Sequence, residues 1–481
     1  MAFDTGSLFK IEGDERPTAV VVAVQLPDVT DGELASSIEE LERLARTLGL
    51  DPIARITQRR SRLAPGIVLG EGKLVELAGW TGGTGVIEKY SKPGSKPKDG
   101  DDDEELEDDD EEEELAPDGS VIPPKVKAKV VLVDHDLSPT QQRNLERATG
   151  VDVLDRTAVI VEIFHRHAKT REARMQVEIA RLKYLAPRLR ETSGGGDRVR
   201  GGIGGKGAGE SSLELDRRRI RDRIAELRNE LSQIAGGSKT RRARRSDLPT
   251  VALVGYTNAG KSSLMRSLTS TDVYIADKLF ATLDTTVRRL VPPTEPPILI
   301  TDTVGFIKKL PHDLVASFRS TLDEAGDADL LLHLVDAADP ALADHIAVTR
   351  EVLGEIEADA VPTWLVLNKI DKVDPLLRRS LAERYPGALQ LSAKDPADVA
   401  MLRDELIARF AGALEEAELV VPYTDQRLVH QIHERTTVLA EEHDDTGTKL
   451  RVRAPAKILE DLRGSIAAIA APAAPAAPEP S

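Results

Sequence analysis

The hydrophobic positions along the chain fall into two repeating patterns. Short apolar runs, which are typical of buried strands, occur at 18–24, 129–133, 251–254, 298–301 and 363–367. Apolar residues at helical spacing occur at 34–48 and 139–148, and a longer helical stretch is predicted from Asp155 to about Leu189. Because strands and helices alternate, the pattern predicts an α/β fold with largely parallel sheets.

Changes in composition and spacing divide the 481 residues into five regions. Residues 1–190 are predicted to form an N-terminal α/β domain with an acidic, disordered insertion at about 91–122, and 191–248 a Gly-rich basic loop and a linker helix. Residues 249–413 are predicted to form a Ras-like, doubly wound domain of mostly parallel strands with helices on both faces. A small α+β domain is predicted at 416–464, with a strand at 419–423, a helix at 426–434, a hairpin through 443–447 and a last helix near 457–462. An Ala/Pro tail at 465–481 is predicted to be disordered.

A glycine-containing loop follows the apolar run at 251–254 and precedes a helical pattern. Its glycines let backbone N–H groups face the β- and γ-phosphates of a nucleotide at a helix N-terminus. Lys261 is expected to reach the β/γ oxygens, and the Ser262 hydroxyl is expected to bind Mg²⁺. The predicted phosphate-binding residues are Gly255, Tyr256, Thr257, Asn258, Ala259, Gly260, Lys261 and Ser262.

A second loop, after the run at 363–367, is predicted to contact the base of the nucleotide. The Asp371 carboxylate can accept from N1–H and the exocyclic amine of guanine, whereas adenine has no matching pair of donors. Asn368 is expected to tie this loop to the phosphate loop, and the Lys369 stem to cover the base. The Ala393 N–H is expected to reach guanine O6. The predicted base-binding residues are Asn368, Lys369, Ile370, Asp371, Ser392, Ala393 and Lys394.

Two segments between these loops are expected to sense the γ-phosphate. Asp302 should hold Mg²⁺ through water, and the Gly305 N–H should bond the γ-phosphate. Thr282 is preferred as a second hydroxyl ligand of Mg²⁺ because its segment is similar to the Phe-x-Thr-Leu switch of related GTPases, with Thr285 and Thr286 as alternatives. The two segments are Phe280, Ala281, Thr282, Leu283 and Asp284, and Asp302, Thr303, Val304 and Gly305. Lys261, Thr282 and Gly305 are thus the predicted catalytic residues, and Ser262 and Thr282 the predicted metal ligands.

Phe306 follows Gly305, at the position where many GTPases have a glutamine that orients the attacking water. Intrinsic GTP hydrolysis is therefore expected to be slow, and a large partner is expected to order the switches. The simpler alternative for Phe306 itself is that it anchors the switch in the core.

Composition limits the classes of protein that fit. The chain has no cysteine, which excludes disulfides and cysteine-ligated zinc. It shows neither a signal-peptide pattern nor an apolar run of membrane-spanning length, so a cytoplasmic protein without stable membrane insertion is expected. Its net charge is −17, but residues 99–114 alone carry 14 acidic and no basic side chains, which leaves the rest nearly balanced at −3. That run is expected to be a solvated insertion.

The junction at 191–248 is rich in glycine and arginine. Its loop at 193–209 precedes a charged helix predicted to end near Ile234, and a basic cluster follows at 239–245. Such arginine density suits contacts with RNA phosphates, and a solvated helix with ion pairs four residues apart is the alternative. His165 and His167 lie too close along their helix to share a face, which favours surface or capping roles over metal binding.

These motifs in this order resemble the HflX family of ribosome-associated GTPases. The resemblance covers about residues 17–463 and depends on the Leu-Glu-x-Asp-Arg-Arg-Arg-Ile helix, the Gly-Tyr-Thr-Asn-Ala-Gly-Lys-Ser loop and a Phe after Asp-Thr-Val-Gly. The family usually has Gly-Pro-Gly-Glu-Thr-Gln-Leu-Glu where this chain has the segment 207–214. It commonly has a proline at the position of Thr285. These departures concern the rigidity of the loops.

The resemblance implies a GTPase that binds the large ribosomal subunit and its rRNA and, in some members, splits stalled ribosomes under stress. GTP/GDP and Mg²⁺ are the expected cofactors, and the protein is expected to be a monomer. No DNA partner is expected. The alternative is a regulatory GTPase that acts on a non-ribosomal protein or RNA. An ATP-dependent RNA helicase is a weaker alternative, since Asp371 favours guanine.

Overall fold

The first 190 residues contain a four-stranded parallel sheet rather than isolated strands. A computed structural model describes residues 16–64, 66–87, 126–189, 212–243, 248–269, 279–280, 286–308, 319–412, 414–423, 426–445 and 447–470. The strands of this sheet are β1 (Thr18–Gln25), β2 (Asp51–Arg59), β3 (Val130–Val133) and β4 (Asp152–Asp155). They lie in the order β2-β1-β3-β4. The acidic run at 99–114, the loop at 193–209 and the segment 471–481 lie outside the described residues.

Five helices accompany this sheet in the described residues up to 189, and together they form the N-terminal α/β fold. They are α1 (Asp31–Leu48), α2 (Glu71–Thr81), α3 (Pro139–Thr149), α4 (Arg156–His167) and α5 (Arg171–Leu185). A short 3₁₀ turn, Ala186–Arg188, follows. Residues 20–24 of β1 are almost fully buried, as expected for a parallel strand covered on both faces. The helix–strand pattern therefore predicted this fold class, although β2, α2 and β4 were not among the predicted elements.

The single long helix predicted from Asp155 to about Leu189 is wrong. Asp155 ends β4 and caps α4, because its carboxylate accepts from Ala158 N. The helix then ends at His167, and Thr170 starts α5 by accepting from Ala173 N. Two N-caps thus divide a stretch in which the hydrophobic pattern alone looked continuous.

The linker helix is longer than predicted. It forms α6 (Ser212–Ala243), which passes the predicted end at Ile234 and continues through two glycines. Ile220 and Leu227, seven residues apart, are buried on one side of it. On α6, Arg223 Nε donates to Glu178 Oε1 at 2.9 Å, which joins this helix to α5.

The chain divides into two compact units: residues 1–231 with 276–284 and 308–319, and residues 232–275, 285–307 and 320–481. The second unit contains a six-stranded sheet. Its strands are β5 (Thr250–Gly255), β6 (Thr286–Arg289), β7 (Leu299–Asp302), β8 (Leu330–Asp336), β9 (Thr363–Asn368) and β10 (Leu389–Gln390). They lie in the order β10-β9-β8-β5-β7-β6. β6 runs antiparallel to β7, and the other pairings are parallel.

Helices cover both faces of this sheet, as predicted for a doubly wound domain. They are α7 (Lys261–Thr269), α8 (Arg319–Gly326), α9 (Leu342–Glu355), α10 (Pro375–Arg384) and α11 (Pro396–Ala411). One core cluster joins Leu264 of α7 and Leu402 of α11 to the sheet, and a separate cluster joins Leu342 of α9 and Leu381 of α10 to it. The carboxyl ends of the parallel strands are therefore framed by helices, which is where doubly wound folds place ligands.

The last part of the second unit is a small α+β fold. It comprises β11 (Leu414–Val421), α12 (Gln426–Arg435), β12 (Thr437–Asp444), β13 (Gly447–Pro455) and α13 (Ala456–Ala470). The antiparallel strands lie in the order β11-β13-β12, and the two helices contribute to one shared apolar core. The predicted strand, helix and hairpin are present. The last helix extends to Ala470, so the prediction of a disordered tail from residue 465 is wrong at its start, because Ile466 still packs against the core. Throughout the described ranges, no helix is both long and apolar enough to cross a bilayer.

Candidate nucleotide-binding site

The predicted phosphate loop lies where β5, a central strand, gives way to α7. Gly255 has φ +142°, and a Cβ there would lie 2.1 Å from the Leu334 carbonyl oxygen. Gly260 has φ +95°, and a Cβ there would lie 2.2 Å from Asn368 Nδ2. Both positions therefore require glycine, for backbone conformation and for space. The resulting loop ends at the N-terminus of α7, where Lys261 and Ser262 are the first residues.

Lys261 is the first residue of α7, and its side chain turns back over the loop. Its Nζ donates to the Gly255 and Tyr256 carbonyl oxygens, at 2.9 Å each. The residue is only 6% exposed, and burial lowers its pKa to about 8, against the smaller opposing effect of Asp302. An ammonium group has three donors, so the loop holds this cation in place while leaving it able to contact an anion.

Ser262 and Asp302 bring two oxygen donors together beside this lysine. The Ser262 hydroxyl donates to Asp302 Oδ2 at 2.8 Å, and Asp302, at the end of β7, is 1% exposed. A hydroxyl and a carboxylate are hard oxygen ligands of the kind that Mg²⁺ takes, usually together with water and phosphate oxygens. The donor set therefore fits a magnesium ion.

The segment after Asp302 lies directly on the phosphate loop. Thr257 N donates to the Phe306 carbonyl at 2.7 Å, and Phe306 N donates to the Gly255 carbonyl at 3.1 Å. A Cβ on Gly305 would lie 2.9 Å from Thr257 Cγ2 and 3.2 Å from Lys261 Nζ. Phe306 is 1% exposed, so its side chain is a core anchor, as the simpler interpretation of this residue has it.

The other predicted switch segment is only partly described. Ala281, Thr282, Leu283 and Asp284 lie outside the described residues, as does Thr285. Phe280 belongs to the first unit, where its ring meets that of Phe164 edge to face, with centroids 4.6 Å apart. Its carbonyl oxygen is 2.9 Å from His167 Nδ1. His167 thus contacts the backbone of this segment, and the nucleotide contacts predicted for the segment stay predictions.

Asn368, the last residue of β9, joins the two predicted loops. Its Nδ2 donates to the Ala259 carbonyl at 2.8 Å, and its Oδ1 accepts from Ala393 N at 3.0 Å. Asn368 is 1% exposed. The expected tie to the phosphate loop is therefore present. The Ala393 N–H is used inside the protein here, so contact with guanine O6 requires it to share its proton.

Asp371 lies on the surface of the same loop with its carboxylate already oriented. The Ser392 hydroxyl donates to Asp371 Oδ1 at 2.7 Å, and this bond is the main reason why the pKa of Asp371 is lowered. Lys394 N donates to Ser392 Oγ at 3.3 Å, which extends the network. A fixed anion at this position suits a ligand edge with two donors.

Three residues of this region did not emerge from the sequence pattern. Asp336, at the end of β8, accepts from Lys369 Nζ at 2.7 Å and so holds the lysine stem beside the base loop. His345, on α9, stacks on the ring of Tyr256. His333, on β8, is buried next to the phosphate loop, and burial lowers its pKa to about 3. Each lies outside the recognised motifs, and only the fold brings it close.

Comparison with known proteins agrees with this geometry. Three family models match: "GTP-binding GTPase N-terminal" at 35–86 and 120–165, "GTP-binding GTPase Middle Region" at 167–245, and "50S ribosome-binding GTPase" at 250–369. The GTPase HflX of Gluconacetobacter diazotrophicus is 55% identical over 452 residues, which cover 94% of this chain and 98% of that protein. The chain belongs to the HflX family of GTPases.

A second HflX relative, from Escherichia coli strain K12, is 37% identical over 448 residues, or 92% of this chain and 94% of that protein. A solved GTP-binding protein from Sulfolobus solfataricus, in complex with GDP, matches with a TM-score of 0.40 at 23% identity, over 82% of this chain and 99% of that one. Family membership confirms the resemblance seen in the motifs. The chain is thus an α/β enzyme that binds guanine nucleotide and hydrolyses GTP.

Proposed function

We propose that this HflX GTPase binds the large ribosomal subunit, through rRNA among other contacts, and hydrolyses GTP there, with the splitting or rescue of stalled ribosomes as the outcome. The observation that carries the ribosomal part is the match of residues 250–369 to a family described as 50S ribosome-binding. The proposal includes a cytoplasmic monomer and the domain limits 1–190, 191–248 and 249–413, followed by a small C-terminal domain.

In the proposed site, residues 255–262 hold the phosphates. The geometry supports this because the positive φ angles of Gly255 and Gly260 let the backbone turn tightly before α7, and because Lys261 is held at the loop as a cation. Lys261 would stabilise the charge that develops on the β–γ bridge as water attacks the γ-phosphate in line and the bond to the bridging oxygen breaks. The Gly305 N–H would bond the γ-phosphate.

Asp371 is proposed to read the base. Its orientation by Ser392 supports this role, because guanine N1–H and the exocyclic amine can both donate to a fixed carboxylate. Asn368 would keep the base and phosphate loops at the separation that one nucleotide needs. The wider base set is proposed to include Lys369, Ile370, Ser392, Ala393 and Lys394.

Magnesium is proposed to bind at Ser262 and Thr282, with Asp302 acting through water. When bound, the ion supplies charge neutralisation on the phosphates. Ser262 and Asp302 are already in contact, which supports this assignment. Thr282 is proposed on its motif alone.

Slow intrinsic turnover is part of the proposal. Phe306 is buried and its backbone is paired with the phosphate loop, so its side chain cannot orient a water as a glutamine does. A bound ribosome would then supply the missing order. We therefore expect GTP turnover to depend on the partner.

Helix α6 supplies the surface that supports an RNA partner. Arg217, Arg221 and Arg228 are exposed on it, and separations of four and seven residues place them on one face of a helix. A row of exposed guanidinium groups suits phosphate contacts, and each such contact makes binding depend on salt.

The test is GTP turnover with and without purified large ribosomal subunits at two salt concentrations. We expect stimulation that weakens as salt rises. The variant Arg217→Ala/Arg221→Ala/Arg228→Ala should lose much of the stimulation and show a shallower salt dependence, with intrinsic turnover unchanged. Arg409→Ala, an exposed arginine on α11, is the matched control. No stimulation of the unmodified protein at either salt would refute the ribosomal role and favour a non-ribosomal partner.

A further inference from the structure

An aromatic stack supports the phosphate loop from outside the nucleotide motifs. The rings of Tyr256 and His345 lie 3.8 Å apart between centroids at an interplanar angle of 13°. Both residues are buried, at 3% and 7% exposed. His345 lies in the first turns of α9, and its Nδ1 is 3.9 Å from Asp339 Oδ2 in the turn that precedes this helix. The stack therefore joins the loop to a rigid helix of the same unit.

Tyr256 is the residue through which two other parts of the site are held. Its carbonyl accepts from Lys261 Nζ at 2.9 Å. Its backbone pairs with that of Phe306, and the flanking bonds join Thr257 and Gly255 to Phe306. A shift of Tyr256 would consequently move the lysine that faces the phosphates and the segment that follows Gly305.

The position of Tyr256 is fixed on two sides. Its backbone is tied to the loop and the switch, and its ring is tied to α9. Losing the ring contact would leave the backbone bonds in place but would let the loop sample more conformations. A loop that must be ordered on binding costs affinity, because part of the interaction energy is spent on ordering it.

We propose that His345 is a positioning residue for guanine nucleotide: it stacks on Tyr256 and so preorganises the phosphate loop and the placement of Lys261. This inference rests on the proposed assignment of residues 255–262 to the phosphates. Loss of the stack should weaken the binding of GDP and GTP alike, since the loop serves both nucleotides. The dissociation rate should change more than the association rate, because most affinity differences between related complexes lie in dissociation.

The experiment compares three changes at His345 by stopped-flow fluorescence with mant-GDP and mant-GTP. His345→Ala should raise the dissociation rate of both nucleotides about two- to tenfold, as expected for loss of one aromatic pair. His345→Phe should restore rates close to those of the unmodified protein, because a phenyl ring can stack on Tyr256. His345→Leu fills a similar volume without a flat ring and should behave like His345→Ala.

Leu353→Ala is the matched control on the same helix. Leu353 is 4% exposed and lies eight residues, about two turns, after His345. This change should lower the melting temperature while leaving nucleotide dissociation unchanged. Equal effects of Leu353→Ala and His345→Ala on dissociation would show that general packing of α9 is responsible and would overturn the inference, as would failure of His345→Phe to restore the rates.

Lys261→Ala, measured in the same assay, tests separately whether residues 255–262 bind the phosphates. If Lys261→Ala binds nucleotide as tightly as the unmodified protein, the assignment of the loop fails. If Lys261→Ala abolishes tight binding and His345→Leu dissociates nucleotide at the normal rate, the loop assignment holds and the positioning role of His345 is refuted.

Discussion

Asp371→Asn should change the base that this enzyme selects. The carboxylate is held by the Ser392 hydroxyl at 2.7 Å, and the lowered pKa of Asp371 keeps it ionised at neutral pH. Guanine can donate N1–H and an exocyclic N–H to it. An asparagine at this position keeps one acceptor but turns an N–H₂ donor towards the exocyclic amine of guanine.

The size of the effect follows from these two bonds. A hydrogen bond to a charged group contributes about 1.5–3 kcal/mol. Asp371→Asn weakens one such bond to a neutral one and replaces the other by two opposed donors. A loss of roughly 3–4 kcal/mol corresponds to GTP affinity lower by about 10²–10³-fold. Xanthine has a carbonyl in place of the exocyclic amine, so it can accept from the new N–H₂ group and should bind better.

The assay is competition of GTP and XTP against mant-GDP, followed by turnover of each triphosphate. Ser392→Ala is the control, because it removes the bond that orients Asp371 and leaves the carboxylate in place. It should weaken GTP by roughly fivefold, as for one hydrogen bond of about 1 kcal/mol, without any gain for XTP. Retained guanine selectivity in Asp371→Asn would refute the role of this residue as the base reader.

Three further changes test other contacts. Lys261→Ala should abolish tight mant-GTP binding, and unchanged affinity would contradict the phosphate site. Asn368→Ala leaves the buried Ala259 carbonyl and Ala393 N–H without their shared partner, at a cost to folding stability of about 1–3 kcal/mol each; the melting temperature should fall, and GTP should bind more weakly in the same titration because the two loops are no longer tied together. His333 has a folded-state pKa of about 3 against an ordinary 6.5; its neutral form therefore stabilises the fold fully above pH 6.5, and this contribution is lost as pH falls. Between pH 6.5 and about 5, calorimetry should show that the free energy of unfolding falls by about 2 kcal/mol, and His333→Leu should lack this decrease. Equal pH dependence of the two proteins would refute the role of His333.

The conformations of the two predicted nucleotide-binding loops could be predicted from sequence because they depend on neighbouring residues. Gly255 and Gly260 have the backbone angles and the crowded surroundings that the motif requires, and Asn368 makes the expected tie to Ala259. Short motifs constrain neighbouring residues through backbone geometry, which acts over a few positions. The same locality explains why strands β5, β7 and β9 were predicted close to their observed limits.

What could not be predicted depends on contacts distant in sequence or on caps hidden in a continuous pattern. His345 meets Tyr256 because α9 crosses the sheet beside β5, 89 positions along the chain. The break between α4 and α5 depends on Thr170, whose capping role is visible only once Ala173 N is seen to donate to it. In the Gly236-Gly237 region the composition predicted an end, and the helix continues; glycine lowers helix propensity without forbidding it.

The contacts around the site form one connected chain. Asn368 ties the base loop to Ala259 of the phosphate loop, the carbonyls of Gly255 and Tyr256 hold Lys261, and the backbone of Phe306 pairs with the same loop. In the proposed assignment, the residues that would read the base and the segment that would sense the γ-phosphate are therefore joined through one short loop. We expect guanine binding to be a condition for ordering the γ-phosphate side, because a loop displaced at either end would not present Lys261 correctly to the phosphates.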